Sequence, residues 1–165
     1  MCQHDSALSP ESRILLDEIK RVFANVERGR GVTLHETSVI DANGSDEERE
    51  RARRKDTDSH WWDVRDEWIE KNVGLTFLDD AGFRYYLPAY MSYFIRTGKE
   101  PWGLEFQLEK HDRLDQIFSL AEKKVIARFV DHVGYQFEGF GPGEALDPFW
   151  RKYFDDTHGW HNPSL

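Results

Sequence analysis

Asp63, Arg84 and Tyr85 are the residues whose types would suit catalysis if folding brought them together. A carboxylate would act as base, a guanidinium would clamp an anion and a phenol would donate a hydrogen bond, enough for a small hydrolase or transferase. Pro88 sharpens the case. A proline within a helix has no N–H to give, so the Arg84 carbonyl loses its usual donor. A bend that wraps the core explains the same proline without a ligand, and that is the simpler expectation. Nothing in the spacing requires catalysis, so no residue is assigned a catalytic role.

Binding has more to draw on. Trp61 and Trp62 are adjacent and cannot easily share one packing direction. A ring left partly outside offers a flat apolar face and one N–H donor, which suits stacking against a partner. The preferred expectation is nonetheless that both rings cover the edge of the core, because tryptophan is usually mostly buried. The candidate binding set is therefore Trp61, Trp62, Asp63, Arg84, Tyr85 and Arg96.

Other clusters fail on spacing. His35-Glu36 resembles the start of a zinc-protease helix, but position 39, where a second histidine would be needed, is Val39. Gly139-Phe-Gly141-Pro-Gly143 lacks the spacing of a dinucleotide fingerprint and has no lysine after it, so it reads as a turn. Cys2 with His4 is too small a cluster for a metal, and His111, Asp112 and Asp115 fit a solvated turn or short helix. His158 and His161 with Asp155 or Asp156 lack the further ligands that a metal site usually has. No metal and no cofactor is expected.

The segment that must position these residues is Phe77 to Ile95, FLDDAGFRYYLPAYMSYFI. At about 100° per residue, Phe83, Leu87, Tyr90, Met91 and Phe94 share one side, while Tyr85, Ser92 and Arg96 fall opposite with Ala89 between them. The first set should be core and the second should meet water or a partner. Asp79 suits the N-cap and Gly98 the left-handed stop. A kinked helix through Pro88 is expected in preference to two short helices.

Around it, Ser9-Pro10 opens an amphipathic helix carrying Leu15, Ile19, Val22 and Val26. Capping boxes at Thr33/Glu36, Ser45/Glu48 and Ser119/Glu122 start three more, the second a solvated, charge-rich helix with pairs Glu47–Arg51 and Glu50–Arg54. Asp63 should cap a helix over 64–72 that ends at Gly74 and turns Trp68 and Ile69 inward. The helix after Ser119 should end at Gly134, leaving His132 on the surface. Leu104, Phe106 and Leu108 alternate with Glu105 and Gln107 as in a short strand, and Asp147-Pro148 opens a last aromatic helix.

The totals set bounds. A chain of 165 residues suits one domain, here 9–155, between a disordered N-terminus at 1–8 and a tail at 156–165. With 22 basic against 31 acidic residues, the net charge of −9 repels phosphate backbones, and no basic patch offsets it, so no nucleic-acid partner is expected. Cys2 is the only cysteine and forms no internal disulfide, and no export signal is evident. The longest nearly apolar run is far shorter than the roughly 20 residues a membrane helix needs, so no membrane partner is expected either. Cytoplasm is the expected compartment.

GVTLHET…ID at 31–41, WWDV at 61–64, FLDDAGFRYYLPAYM at 77–91 and FSLAEKKVIARFV at 118–130 together resemble an uncharacterised family of small bacterial cytoplasmic proteins. The likeness covers most of Gly31 to Val130. It implies a compact soluble bacterial domain and transfers no catalytic residue. The expected fold is mainly α: an irregular bundle of about six to seven helices around a Pro-kinked central helix, with room for one short β ribbon. The expected function is a non-catalytic protein-interaction module that meets another protein. The alternatives are the small hydrolase or transferase near Pro88 and a structural subunit that pairs with a second copy of itself.

Overall fold

The computed structural model describes residues 7–72 and 74–154. The readings made for Cys2 and His4, for most of segment 1–8, for the tail and for His158 and His161 lie outside the described residues. Nine α-helices stand among the described residues: α1 (Pro10–Val22), α2 (Leu34–Asp41), α3 (Asp46–Arg53), α4 (Asp66–Lys71), α5 (Asp80–Thr97), α6 (Leu104–Leu108), α7 (His111–Ile117), α8 (Leu120–Phe137) and α9 (Pro148–Arg151). Two 3₁₀ turns, Trp61–Asp63 and Gly74–Phe77, complete the set, and no strand is present among the described residues. The chain is mainly α, as its sequence pattern implies.

α5 is the axis. It runs through Pro88 without a break, starts on Asp79, whose Oδ1 accepts from the Gly82 N–H at 2.9 Å, and ends on Gly98 at φ 68°. Twelve of its 18 residues are buried, so it is enclosed on nearly every side and does not present one apolar stripe. α1 packs on α5 and α8, the Trp61–Asp63 turn packs on α5, and α2 sits on α3 and the Gly74–Phe77 turn. Phe23, Phe83 and Phe118 meet edge to face beside it, the geometry aromatic quadrupoles prefer.

The caps mostly form where side-chain oxygens meet unpaired amides. Ser9, Ser45, Ser119 and Asp147 each accept from an amide three residues on. At Thr33 only the reciprocal half forms, the Thr33 N–H donating to Glu36 at 2.7 Å while the threonine hydroxyl has no partner. On α3, Glu50 and Arg54 pair at 3.7 Å, but no ion pair joins Glu47 to Arg51 among the described residues. Arg49 and Arg53 reach across to Glu36 instead.

Four elements depart from the sequence reading. Segment 104–108 is helical, because Leu104 and Leu108, which a strand would also place on one face, are one helical turn apart and are buried with Gln107. Gly103, at φ 81°, sets the start of this helix. α4 starts at Asp66 rather than after Asp63, whose carboxylate turns back to accept from the His60 N–H at 3.0 Å; Val64 is left extended. Of the two residues expected inward from α4, Ile69 is buried and Trp68 only partly so. α1 ends at Val22, so Val26 of the expected helical line lies beyond it. α8 runs past Gly134 to Phe137, and His132 is buried with its Nε2 2.9 Å from the Ser12 hydroxyl.

Candidate functional site

The outward edge expected of α5 closes at Tyr85. Its ring is 2 % exposed and its hydroxyl donates to Asp58 Oδ2 at 2.6 Å. Arg28 donates from Nη1 to the same carboxylate oxygen at 2.8 Å and to the Tyr86 hydroxyl at 2.9 Å. A carboxylate buried this way persists only because it is paired and hydrogen-bonded. Burial, and then the bond to Asp58, pushes the Tyr85 phenol well above its usual range; burial and the charges of Asp56 and Asp58 do the same for Tyr86. Asp56 is itself held by His35, whose N–H and Nδ1 lie 3.0 and 2.8 Å from its two oxygens.

The would-be catalytic trio is dispersed among partners. Arg84 forms a two-pronged pair with Glu122, at 2.6 and 3.3 Å, tying α5 to the first turn of α8. Asp63 serves His60, and Tyr85 serves Asp58. A polar cavity of about 430 Å³ does open beside Arg28, Asp58, His60 and Tyr85. Among the described residues no group of His, Cys, Asp and Glu is placed to hold a metal.

The tryptophans divide the work. Trp61 is buried and donates from Nε1 to the Phe23 carbonyl at 3.1 Å. Trp62 is part exposed, stacked on His60 with centroids 4.4 Å apart and covered on one side by Lys20 at 5.1 Å. Arg96 is exposed and paired to Asp66 at 2.6 and 3.0 Å. Trp61, Trp62 and Arg96 do line one shallow groove with Leu16, Lys20 and Val64, so three of the six candidate residues are brought together.

A second depression was not anticipated. A cavity of about 240 Å³ lies between α6, α8 and the turn before α9, with Phe94, Leu104, Leu108, Phe129, Val133 and Trp150 among its walls. Its lining also holds Glu100, Glu105, Glu109, Glu138, Glu144 and Asp147, and neither lysine nor arginine. The sequence held a signal for it. On a helical wheel Glu105 and Glu109 fall on one line beside Leu104 and Leu108, a match visible only once 104–108 is read as a helix. Several large rings are left out of the core: Trp102 is 69 % exposed, Phe106 60 %, and Phe137 and Phe140 are also open. Phe140 lines the cavity, and Phe137 stacks at 5.6 Å on Phe94.

Comparison with protein families matches residues 12–153 to a family of unknown function, DUF6714. This chain belongs to that family. The match reaches beyond Gly31–Val130 at both ends and takes in the turn and helix that close the acidic cavity. No curated protein and no solved structure matches the chain. No described helix is long and apolar enough to cross a membrane.

Proposed function

We propose that this protein is a non-catalytic interaction module that docks a partner protein in the cleft between α6, α8 and α9. One observation carries the reading: a concave apolar floor stands open, with the exposed ring of Phe140 in its lining and the exposed ring of Phe137 stacked on Phe94 of its wall. Exposed rings gathered at one place are a feature of protein interfaces, where they supply most of the anchoring energy. The groove of Trp61, Trp62 and Arg96 is a weaker candidate, because its cations already face Trp62 and Asp66. As part of the same reading, segment 9–155 acts as one domain in the bacterial cytoplasm, which the single cysteine and the acidic balance support.

The test is site-specific photocrosslinking in producing cells, with a photoreactive residue at Phe137 or Phe140 and a control at Arg51 on the exposed face of α3. A discrete protein adduct from the two cleft positions and none from position 51 is the expected result. Adducts from all three alike, or from none, would end the proposal.

A further inference from the structure

We infer that the segment docked in this cleft is cationic and amphipathic, with lysine or arginine side chains on either side of an apolar one. The inference rests on the docking reading above and adds the chemistry of the partner.

Charge complementarity carries it. Six carboxylates line the cleft without one lysine or arginine among them. Of these, Glu100, Glu105, Glu109 and Glu138 form no ion pair among the described residues and stand together along one apolar wall. Asp147 has His111 at 2.8 Å, and Glu144 accepts from the Gly141 N–H at 2.7 Å, so those two are already engaged. Lys110 is near but lies over the Phe106 ring at 4.7 Å. The four glutamates are exposed, so water screens part of their mutual repulsion, but a shared wall keeps them gathered. Burial, then the charge of Glu105, raises the carboxyls of Glu100 and Glu138, as expected where that repulsion is unrelieved.

Size narrows the occupant. A cavity of about 240 Å³ falls below the ~300–1,000 Å³ of typical small-molecule pockets. It suits one or two apolar side chains of a longer segment, whose backbone would then run past the rim. An anionic segment would meet four carboxylates that lack a cationic partner, and an uncharged one would leave their repulsion in place. A cation on each side of the inserted side chain removes that repulsion and gains charge-assisted hydrogen bonds.

The experiment is fluorescence anisotropy with the full chain and three labelled helical peptides of equal length. One is built from leucine and lysine, one has glutamate for every lysine, and one has serine for every leucine. The leucine–lysine peptide is expected to bind at least about tenfold tighter than either other, a difference of ~1.4 kcal/mol, with affinity falling as salt rises. The double variant Glu105→Gln/Glu138→Gln is expected to lose about tenfold in affinity while melting no lower than the parent, a split that loss of fold would not produce. Glu47→Gln/Glu50→Gln on α3 should leave affinity unchanged.

Equal binding of the lysine and glutamate peptides would overturn the cationic reading and leave docking intact. So would adducts at Phe137 and Phe140 from a chain to which no peptide binds. Equal loss from the α3 and cleft variants would show nonspecific attraction to an acidic protein and overturn the assignment of the site. A concentration-dependent dimer in sedimentation that the lysine peptide fails to dissociate would name a second copy as the occupant, overturning the inference.

Discussion

Tyr85 shows how far a residue's type and its role can diverge. Helical spacing puts it opposite the phenylalanines of α5, so exchange for alanine should cost little if that side faced water. Its hydroxyl is instead spent on Asp58, 27 positions earlier in the chain. Tyr85→Phe is therefore expected to destabilise the fold by about 1.5–3 kcal/mol, because a buried carboxylate loses a donor. Tyr85→Ala should cost about 3–5 kcal/mol by opening a cavity as well. Urea denaturation of the two variants measures both, and a cost below ~0.5 kcal/mol for alanine would return Tyr85 to the surface. The side-chain inventory of this network is plain in the sequence, but its pairing is not. Asp58 sits in a run of polar residues that carries no periodic signal, and only the tertiary fold brings Arg28 to it. Trp61 and Trp62 were half legible: their adjacency allowed one ring in and one part out, but the preferred expectation, both rings on the core edge, holds only for Trp61.

At the scale of elements, the glycines of the long helices reverse a familiar preference. Glycine within a helix is ordinarily worse than alanine by roughly 0.5–1 kcal/mol. In α5, however, a Cβ on Gly82 would press against the Val32 carbonyl oxygen, and in α8 a Cβ on Gly134 would press against the Ala145 methyl. Both Gly82→Ala and Gly134→Ala are expected to lower the melting temperature, Gly82→Ala more, since its obstacle is backbone. A rise in either would mean that these elements stand farther apart. This close approach also explains why Gly134 reads as a helix stop in the sequence yet lies within α8. α1 and α8 were legible because period and N-cap agree in each, and α5 through its caps Asp79 and Gly98, while its period pointed to an open edge that is largely buried. α6 was misread because residues four apart satisfy both a helical and an alternating pattern, and five residues are too few to separate them.

For the whole molecule, stability should respond to pH at both ends. Glu100 and Glu138 have carboxyls raised by burial and by Glu105, so the folded state holds their protons more tightly than the unfolded chain does. Their contribution is then most favourable below the ordinary carboxylate pKa of about 4.3 and is lost as pH rises through the folded value. Glu138→Gln should accordingly raise the melting temperature at neutral pH and change it little in acid. Tyr85, Tyr86 and Tyr90 are raised chiefly by burial. Their contribution is complete below about pH 10 and declines above it, as the unfolded phenols ionise and the folded ones do not. Calorimetric melting temperatures across the alkaline range would follow that decline, and a flat profile would put these hydroxyls in water.

The enclosure of α5 on nearly every side has a kinetic corollary. Its amide protons reach solvent only when the surrounding helices separate, so deuterium uptake along 83–95 should report the global opening free energy. In α3 Ala52 is the sole buried residue, and its amides should exchange through local fraying orders of magnitude sooner. One time course read by mass spectrometry would thus separate the parts of this protein that open alone from the part that opens last.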